Sequence, residues 1–362
     1  MSDLEIVVLP GDGIGVEVMD SGLAVLDALE ARCGFRLVRH QHPGGAAYYK
    51  ETGIALPDEA ADATRSCDAI LFGAMGLPDI RYPDGTEIAP HLEMRREFGL
   101  YAGVRPVRHL PNTPSPLADP RAKDIDLVII RESTEGLFYS RGKGTVEDDK
   151  VARETMVITR STSEKLFDFS FRLAERRQRL RGKTGRVTCV DKSNVFVAMA
   201  FFRKIFHERA VNFPGVDADA AYVDATALDL IRKPWDFDVM VMENMFGDII
   251  SDLGGGLVGG MGLAPCAEIG DEHALFQPSH GSAPDIVGTG KANPTAMLLS
   301  TAMMLDWLGA RHKLDALTDA SLILEAAIDK AYAERIRPFE FGGSNGTADI
   351  TRAVIAEIEA AK

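Results

Sequence analysis

Residues 237–242 read FDVMVM, and residues 244–252 read NMFGDIISD. The first segment is short, apolar and rich in Val and Met, so it predicts a buried β-strand. Asn244 is a residue type that caps helices, and the second segment predicts a helix that begins near Phe246. The chain therefore passes directly from a buried strand into a helix, which is the arrangement that repeats in α/β folds.

Two carboxylates stand out on the predicted helix. Asp248 and Asp252 are four residues apart, so both project from one face. Like charges at this spacing repel each other, and a cation between them would turn that repulsion into a binding site. Oxygen ligands suit a hard ion such as Mg²⁺ or Mn²⁺. A solvated acidic face is the alternative, and it is the commoner explanation of an isolated pair of this kind.

Four further apolar segments predict strands, and each runs into a loop rich in glycine or charged residues. They are residues 4–9, 69–72, 126–130 and 186–190. The first is followed by a predicted helix whose buried stripe comprises Ile14, Val18, Gly22, Val25, Leu26 and Leu29. Alternating strands and helices predict an α/β protein whose ligands bind where the strands end.

Composition excludes several classes of function. A net charge of −14 argues against nucleic-acid binding, and an anionic substrate would need a local cluster of arginines. The four cysteines are far apart in the sequence, which favours reduced thiols. The first residues carry no signal-peptide pattern, and no apolar run reaches the length of a membrane span. We therefore expect a cytoplasmic protein without a membrane partner.

Basic residues next to apolar segments are candidates for substrate binding. Arg95, Arg105 and Arg131 could bind a polycarboxylate if they converge, because guanidinium groups pair with carboxylates bidentately. Surface salt bridges are the alternative. Lys192 follows a predicted strand, where desolvation and a nearby cation would lower its pKa towards that of a general base. An ordinary solvated lysine is the alternative for that position.

Glycine-rich segments could serve a nucleotide. Residues 11–15 (GDGIG) lack the G-x-G-x-x-G spacing, so they either contact phosphate or form a tight turn. Residues 280–285 (HGSAPD) and Asn293 offer groups that suit an adenosine, and Asp285 would repel a 2′-phosphate. Glycines 254–256 would weaken a helix, so they predict a loop or close backbone packing.

Seven motifs follow one another along nearly the whole chain. They are LPGDGIG (9–15), Arg95 with Arg105, RESTEG (131–136), VDKSN (190–194), YVD (222–224), NMFGD (244–248) with Asp252, and HGSAPD (280–285) with Asn293-Pro294. Together they resemble the decarboxylating isocitrate/isopropylmalate dehydrogenase family, which includes tartrate/D-malate and homoisocitrate dehydrogenases.

The resemblance implies a two-domain α/β fold. Its large mixed sheet would be flanked by helices, and it would not be a Rossmann fold. Residues 1–100 and 254–362 would form the cofactor-side domain. Residues 101–253 would form a substrate and dimerisation domain, with an arm near residues 138–160 that includes a glycine- and charge-rich stretch.

The resemblance also implies roles for the polar residues. Three aspartates would hold Mg²⁺ or Mn²⁺, namely Asp224, Asp248 and Asp252. Three arginines would clamp the carboxylate that leaves as CO₂, namely Arg95, Arg105 and Arg131. Lys192 would remove the proton of the substrate hydroxyl as hydride passes to the cofactor. In such a family Lys192 and Asp224 come from the partner subunit, which implies a homodimer with shared active sites.

The implied cofactor is NAD. Asp285 and Ile286 resemble the NAD-preferring form of the cofactor loop, and Glu340 supports the same preference. The residues expected to contact the cofactor are Ile14, His280, Gly281, Ala283, Asp285, Ile286 and Asn293. Gln277 stands where the family usually has glutamate, which would retune these contacts.

A second departure concerns the acid that protonates the enol. The family has a tyrosine where this chain has Phe138, and Tyr139 follows one position later. A one-residue shift would let Tyr139 donate the proton. Another acid or a water molecule is the alternative.

The residues that would read the C3 substituent of the substrate match no single branch of the family. Ile88, His91 and Leu92 could accept a small alkyl group or a hydroxyl, whereas residues 95–98 and 117–119 resemble tartrate/D-malate members. We therefore predict NAD- and metal-dependent oxidative decarboxylation of a C3-substituted (2R)-malate similar to 3-isopropylmalate. Tartrate/D-malate dehydrogenase is the alternative; isocitrate or homoisocitrate dehydrogenase and a non-catalytic regulatory subunit are less favoured.

Overall fold

A computed structural model describes residues 4–361 as a large mixed sheet flanked by helices. The ten strands of this sheet lie in the order β2-β1-β3-β12-β11-β4-β5-β10-β8-β9, and β6 pairs with β7 in a separate hairpin. The strands are β1 (Leu4–Gly11), β2 (Leu37–Gln41), β3 (Ala69–Ala74), β4 (Ala102–Arg108), β5 (Asp126–Glu132), β6 (Thr145–Glu147), β7 (Val151–Arg153), β8 (Arg186–Asp191), β9 (Asp217–Tyr222), β10 (Val239–Met242), β11 (Pro265–Ile269) and β12 (Ala274–Pro278).

Helices cover both faces of the sheet, and short 3₁₀ turns join several of the elements. The helices are α1 (Ile14–Cys33), α2 (Ala46–Thr52), α3 (Asp58–Ser66), α4 (Pro90–Glu97), α5 (Arg160–Arg181), α6 (Val197–Ala210), α7 (Val223–Arg232), α8 (Asn244–Leu257), α9 (Thr295–His312), α10 (Asp315–Glu334) and α11 (Thr347–Ala360). The 3₁₀ turns are Pro120–Asp124, Leu137–Ser140, Pro234–Asp236, Met261–Leu263, Pro284–Ile286 and Phe339–Phe341. The predicted fold class is confirmed, as are all five predicted strands.

The direction of the strands reverses at the centre of the sheet. Strands β1, β3 and β12 are parallel to one another, whereas β11 is antiparallel to both β12 and β4, and β4 is antiparallel to β5. The carboxyl ends of β1, β3 and β12 therefore meet at one edge, and those of β5, β8 and β10 meet at the opposite edge. The first group comes from residues 4–74 and 265–278, and the second from residues 126–242. The division into two domains at residues 100 and 253 stays a prediction.

Helix α8 begins earlier than the sequence predicts, and a different residue caps it. The Glu243 carboxylate accepts a hydrogen bond from the Phe246 amide at 3.0 Å, so Glu243 is the N-cap. Asn244 is the first helical residue, and its side chain accepts hydrogen bonds from Arg131 instead. The helix also continues through glycines 254–256, so the predicted loop there is wrong and the predicted close packing is right. A Cβ atom on Gly254 would lie only 2.8 Å from Val107.

The hairpin of β6 and β7 projects from the protein, and all six of its residues are exposed. It lies within residues 138–160, where the sequence predicts an arm. Exposed apolar side chains at Val146 and Val151 leave this hairpin without a hydrophobic partner in the single chain. Across the part of the chain that the structure describes, no helix is both long and apolar enough to cross a membrane.

Candidate active site

Three arginines converge where α4, β4 and β5 meet. Arg95, Arg105 and Arg131 are at most 6% exposed. Arg131 donates from Nε and Nη2 to the Oδ1 atom of Asn244 at 2.9 and 2.7 Å, and from Nη1 to Asp248. Burial, together with the charges of its two arginine neighbours, lowers the pKa of Arg131 to about 10. The three guanidinium groups are therefore gathered with little water around them, which suits a carboxylate ligand.

Asp248 and Asp252 face this cluster from one side of α8, as their spacing predicts. Arg105 lies 3.8 Å from each carboxylate and donates a hydrogen bond to the Ser251 hydroxyl at 2.7 Å. Burial raises the pKa of Asp252; the charge of Arg105 acts against this shift, and the charge of Asp248 adds to it. The side chains of both aspartates remain about half exposed, so a ligand can reach them from solvent.

Lys192 and Asp224 form a separate pair. Lys192 follows β8, Asp224 is the second residue of α7, and the ammonium nitrogen lies 2.6 Å from the carboxylate. This hydrogen bond is the main reason that the pKa of Asp224 is lowered. Within residues 4–361 no three His, Cys, Asp or Glu side chains are close enough together to hold a metal ion, so one chain does not unite Asp224 with Asp248 and Asp252.

The surface around the Lys192–Asp224 pair is apolar and open. Four large hydrophobic side chains close to this pair in the sequence are exposed to solvent, namely Val195, Phe196, Val197 and Tyr222. Val197 is 88% exposed, which is an unusual position for a β-branched apolar residue on a helix. Exposed apolar side chains that cluster in this way are typical of interaction sites.

A cavity of 310 Å³ opens beside the arginine cluster. Its wall includes Tyr82, Thr86, Leu92, Arg95, Ser133, Phe138 and Asn244. Of the three residues predicted to read the C3 substituent, Leu92 lines this cavity. Ile88 does not, because its side chain is fully buried.

His91 also lies away from the cavity wall. Its ring packs edge-on against Phe72, with ring centres 5.3 Å apart, and its Nδ1 atom is buried without a hydrogen-bond partner. Burial, assisted by the charge of Arg95, lowers the pKa of His91 to about 3. The imidazole is therefore neutral at physiological pH and acts as part of the packing.

The side chains of Phe138 and Tyr139 line different cavities. The ring of Phe138 lies under the Arg131 guanidinium, 5.1 Å from its Cζ atom. The ring of Tyr139 instead lines a second cavity of 370 Å³, where the Lys143 ammonium sits 4.0 Å above it. The structure thus brings Phe138 to the arginine cluster and does not bring Tyr139 there. A one-residue shift that lets Tyr139 donate the proton stays a prediction.

Sequence reasoning missed the buried partner of Arg95. Glu268 on β11 is fully buried, and its carboxylate lies 2.7 Å from the Arg95 guanidinium. It also missed Tyr82 and Arg141, which line the cavity from outside the recognised motifs. A charged residue inside the apolar strand PCAEI was a signal for Glu268, because a buried carboxylate requires a cationic partner.

The predicted cofactor residues gather at the carboxyl ends of β1, β3 and β12. The Ile14 amide donates to the Ser282 carbonyl at 2.8 Å, and the Ser282 hydroxyl bonds to the Gly76 carbonyl. Gly13 must be glycine, because it has a φ of 59° and a Cβ atom would lie 2.1 Å from the Ser282 carbonyl oxygen. These contacts join residues 11–15 to residues 280–285 in one surface.

Individual groups on this surface are available to a ligand. Gly281 and Asp285 are exposed, and Ala283 and Ile286 are half-buried beside them. The Nε2 atom of His280 is buried without a hydrogen-bond partner. Burial lowers the pKa of His280, so its ring is neutral.

Asn293 is held by groups from the last part of the chain. Its amide nitrogen donates to Glu340 at 3.1 Å and to the Tyr332 hydroxyl at 3.3 Å. Glu340 also accepts from the Gly262 amide at 3.2 Å. Gln277 is buried in β12, where it lies directly opposite Cys266 of the neighbouring strand β11.

The chain belongs to the isocitrate/isopropylmalate dehydrogenase family, whose model matches residues 5–354. It is a decarboxylating hydroxy-acid dehydrogenase that acts on a small-molecule substrate. The resemblance seen in the sequence motifs is confirmed.

Named relatives match over almost the full length. The 3-isopropylmalate dehydrogenase of Methanothermobacter thermautotrophicus is 39% identical over 99% of this chain and 100% of its own. The 3-isopropylmalate/3-methylmalate dehydrogenase of Methanocaldococcus jannaschii is 39% identical over 98% of each. The crystal structure of isocitrate dehydrogenase from Methylococcus capsulatus superposes with a TM-score of 0.85 at 32% identity, covering 98% of this chain and 99% of that one.

Proposed function

We propose that this protein catalyses the NAD- and divalent-metal-dependent oxidative decarboxylation of a C3-substituted (2R)-malate similar to 3-isopropylmalate. The observation that carries the proposal is the buried cluster of Arg95, Arg105 and Arg131, which faces Asp248 and Asp252 beside a cavity. The arginines would hold the carboxylate that leaves as CO₂, and the aspartates would stand near the hydroxyl that is oxidised.

The donor set fits a divalent cation that is shared between two chains. Asp248 and Asp252 are exposed oxygen donors on one helix face, and hard cations prefer such donors. Asp224 would supply the third carboxylate from a second copy of the chain, because it lies with Lys192 on an exposed apolar surface. A bound divalent cation supplies Lewis acidity to the substrate oxygens.

Lys192 would act as the base in this arrangement. Its ammonium is held against Asp224, and its side chain is only one-quarter exposed. With a divalent cation bound at the Asp224 carboxylate, the Lys192 amine would take the hydroxyl proton as hydride leaves for NAD. The homodimer is thus part of the proposal, since a single chain would lack the base near its own Asp248.

NAD is proposed from the surface formed by residues 11–15 and 280–285. The unpartnered Nε2 atom of His280 offers a polar contact, and the exposed carboxylate of Asp285 can accept from ribose hydroxyls. The carboxylate of Glu340 beside Asn293 adds negative charge to the same region. This charge would disfavour the 2′-phosphate of NADP.

A specific observation favours tartrate or D-malate as the second candidate substrate. The cavity wall next to Leu92 is built by polar side chains, namely Tyr82, Asp84, Thr86 and Glu93. Ile88, which would have made the wall apolar, is buried elsewhere. A substrate with a C3 hydroxyl, or with no substituent, would leave these groups hydrated or hydrogen-bonded.

The test is the ratio kcat/KM measured over 3-isopropylmalate, 3-methylmalate, D-malate and tartrate, with NAD and NADP and with Mg²⁺ and Mn²⁺. We expect the alkyl-substituted malates to be best with NAD, and no reaction in chelator. A higher kcat/KM for tartrate or D-malate would favour the second candidate function. A purified Lys192→Met variant controls for contaminating dehydrogenases, and a wild-type protein that reduces NAD with none of the four would contradict the proposal.

A further inference from the structure

Loss of CO₂ from the oxidised substrate leaves an enol that must receive a proton on C3. The reaction class therefore requires an acid near the arginine cluster that holds the departing carboxylate. Phe138 lies beside Arg131 and has no proton to donate. Tyr139 carries a phenol, but its ring lies in the other cavity under Lys143. The 310 Å³ cavity beside the cluster carries other side chains that hold a proton.

We infer that Tyr82 is the acid that protonates C3 of the enol. Among the residues that the structure describes, Tyr82 is the one tyrosine that lines the cavity shared by Arg95 and Phe138. This inference deepens the proposed function and rests on the decarboxylating reaction class, not on the identity of the C3 substituent.

The backbone around Tyr82 forms a tight turn. The Tyr82 amide donates to the Thr86 carbonyl at 2.9 Å, and the Gly85 amide donates to the Tyr82 carbonyl at 2.8 Å. The Asp84 carboxylate accepts from the amide and hydroxyl of Thr86 at 2.9 and 2.7 Å. Gly85 has a φ of 84°, so the turn depends on glycine at that position.

A neighbouring ring holds the phenol from the side. Tyr49 packs edge-on against Tyr82 with ring centres 5.2 Å apart and an interplanar angle of 74°. The ring of Tyr82 thus has a turn on one side and an aromatic partner on another. A general acid must be held in this way to stay within reach of the reacting carbon.

The surroundings of Tyr82 keep its phenol protonated until it is needed. Partial burial, followed by the charge of Glu93, raises the pKa of Tyr82. Arg141 lies on the same cavity and acts in the opposite direction, so it would stabilise the phenolate once the proton has left. Hydrogen bonds from Thr86 lower the pKa of Asp84, so that carboxylate holds no proton to donate at neutral pH.

The proton transfer balances without a further reactant. The Tyr82 O–H bond breaks and a C3–H bond forms from the C2=C3 electron pair of the enol, while the proton on the enol oxygen leaves to solvent and the C2 ketone is restored. The phenolate then takes a proton from solvent, to which the cavity is open. No oxidant or reductant enters this step.

The experiment follows C3 alone and is independent of hydride transfer. Wild-type protein with Mg²⁺ and NADH is incubated in D₂O with the 2-oxo acid formed from its best substrate, and exchange at C3 is measured by NMR. We expect Tyr82→Phe to slow this exchange by a factor on the order of 10² or more, the contribution typical of a general acid. Hydride transfer to NAD in a single turnover should be slowed far less than C3 exchange, because that step precedes protonation.

Three variants make the outcome decisive. Tyr49→Phe keeps the aromatic contact and removes a phenol outside the cavity, so it should exchange like wild type. Phe138→Tyr combined with Tyr82→Phe returns a phenol to the cavity wall and should recover exchange. Wild-type exchange in Tyr82→Phe, or loss of exchange in Tyr139→Phe instead, would overturn the inference. If the wild-type protein oxidised no malate, the proposed function itself would be overturned. That outcome differs from the two above, which overturn only the role of Tyr82.

Discussion

Glu268 shows how a single buried charge can organise a binding site. In the register of the sheet Glu268 lies beside Gly103, and Gly103 lies beside Arg131. A Cβ atom on Gly103 would lie 3.0 Å from the Glu268 carboxylate, so the glycine provides the space that the carboxylate occupies. Glu268 pairs with Arg95 and leaves its second oxygen, Oε2, without a hydrogen-bond partner. The pair holds the Arg95 guanidinium at the cavity.

We expect Glu268→Ala to lower the free energy of unfolding by about 3 kcal/mol or more, because removing one partner leaves the other charge buried and uncompensated. Glu268→Gln keeps the shape of the side chain and one hydrogen-bond acceptor for Arg95, so it should lower the free energy of unfolding by less. Urea denaturation of both variants measures the difference. If Glu268→Ala proved as stable as wild type, Arg95 would not depend on Glu268 for its burial.

Helix α8 is held close to the sheet by glycines, and this closeness brings its aspartates to the arginines. A Cβ atom on Gly247 would lie 2.6 Å from the Cβ of Arg131. By contrast, a Cβ atom on Gly256 would meet nothing within 4 Å. Gly247 and Gly256 lie on the same helix, but only Gly247 is tightly packed. Alanine substitutions at the two positions therefore form a matched comparison.

We expect Gly247→Ala to push α8 away from β5, and thus to weaken the binding of Mn²⁺ and lower the melting temperature. Gly256→Ala should bind Mn²⁺ like wild type and should be stabilised by up to about 1 kcal/mol, the helix-propensity difference between alanine and glycine. Titration calorimetry with Mn²⁺ and thermal unfolding of both variants provide the measurements. Equal Mn²⁺ affinity in Gly247→Ala and wild type would mean that the position of α8 does not control the metal site.

The elements were predictable wherever the pattern was local. The five predicted strands carry short apolar runs, and the shared face of Asp248 and Asp252 follows from helical spacing alone. The capping residue was not predictable, because Glu243 and Asn244 are both able to cap and the choice depends on Arg131, which lies on a distant strand. The directions of Phe138 and Tyr139 depend in the same way on a tertiary contact.

At the scale of the whole molecule, the single chain exposes an apolar surface and two separate groups of active-site residues that a dimer would cover. Lys192 and Asp224 are paired with each other beside exposed apolar side chains, and Asp248 and Asp252 face the arginine cluster elsewhere. A two-fold symmetric dimer can bring the first pair of one chain to the second pair of its partner, and it then does so twice. Each active site would contain residues from both chains.

Mixed dimers test this sharing directly. Lys192→Met and Asp248→Asn should each be inactive as homodimers. In a mixed dimer both substitutions fall in one site, and the other site keeps Lys192 from one chain and Asp248 from the other. Co-expression of the two variants should therefore recover about one quarter of wild-type activity, since half of the dimers are mixed and each has one intact site. Sites built within single chains would recover none, because every chain carries a substitution in its own site.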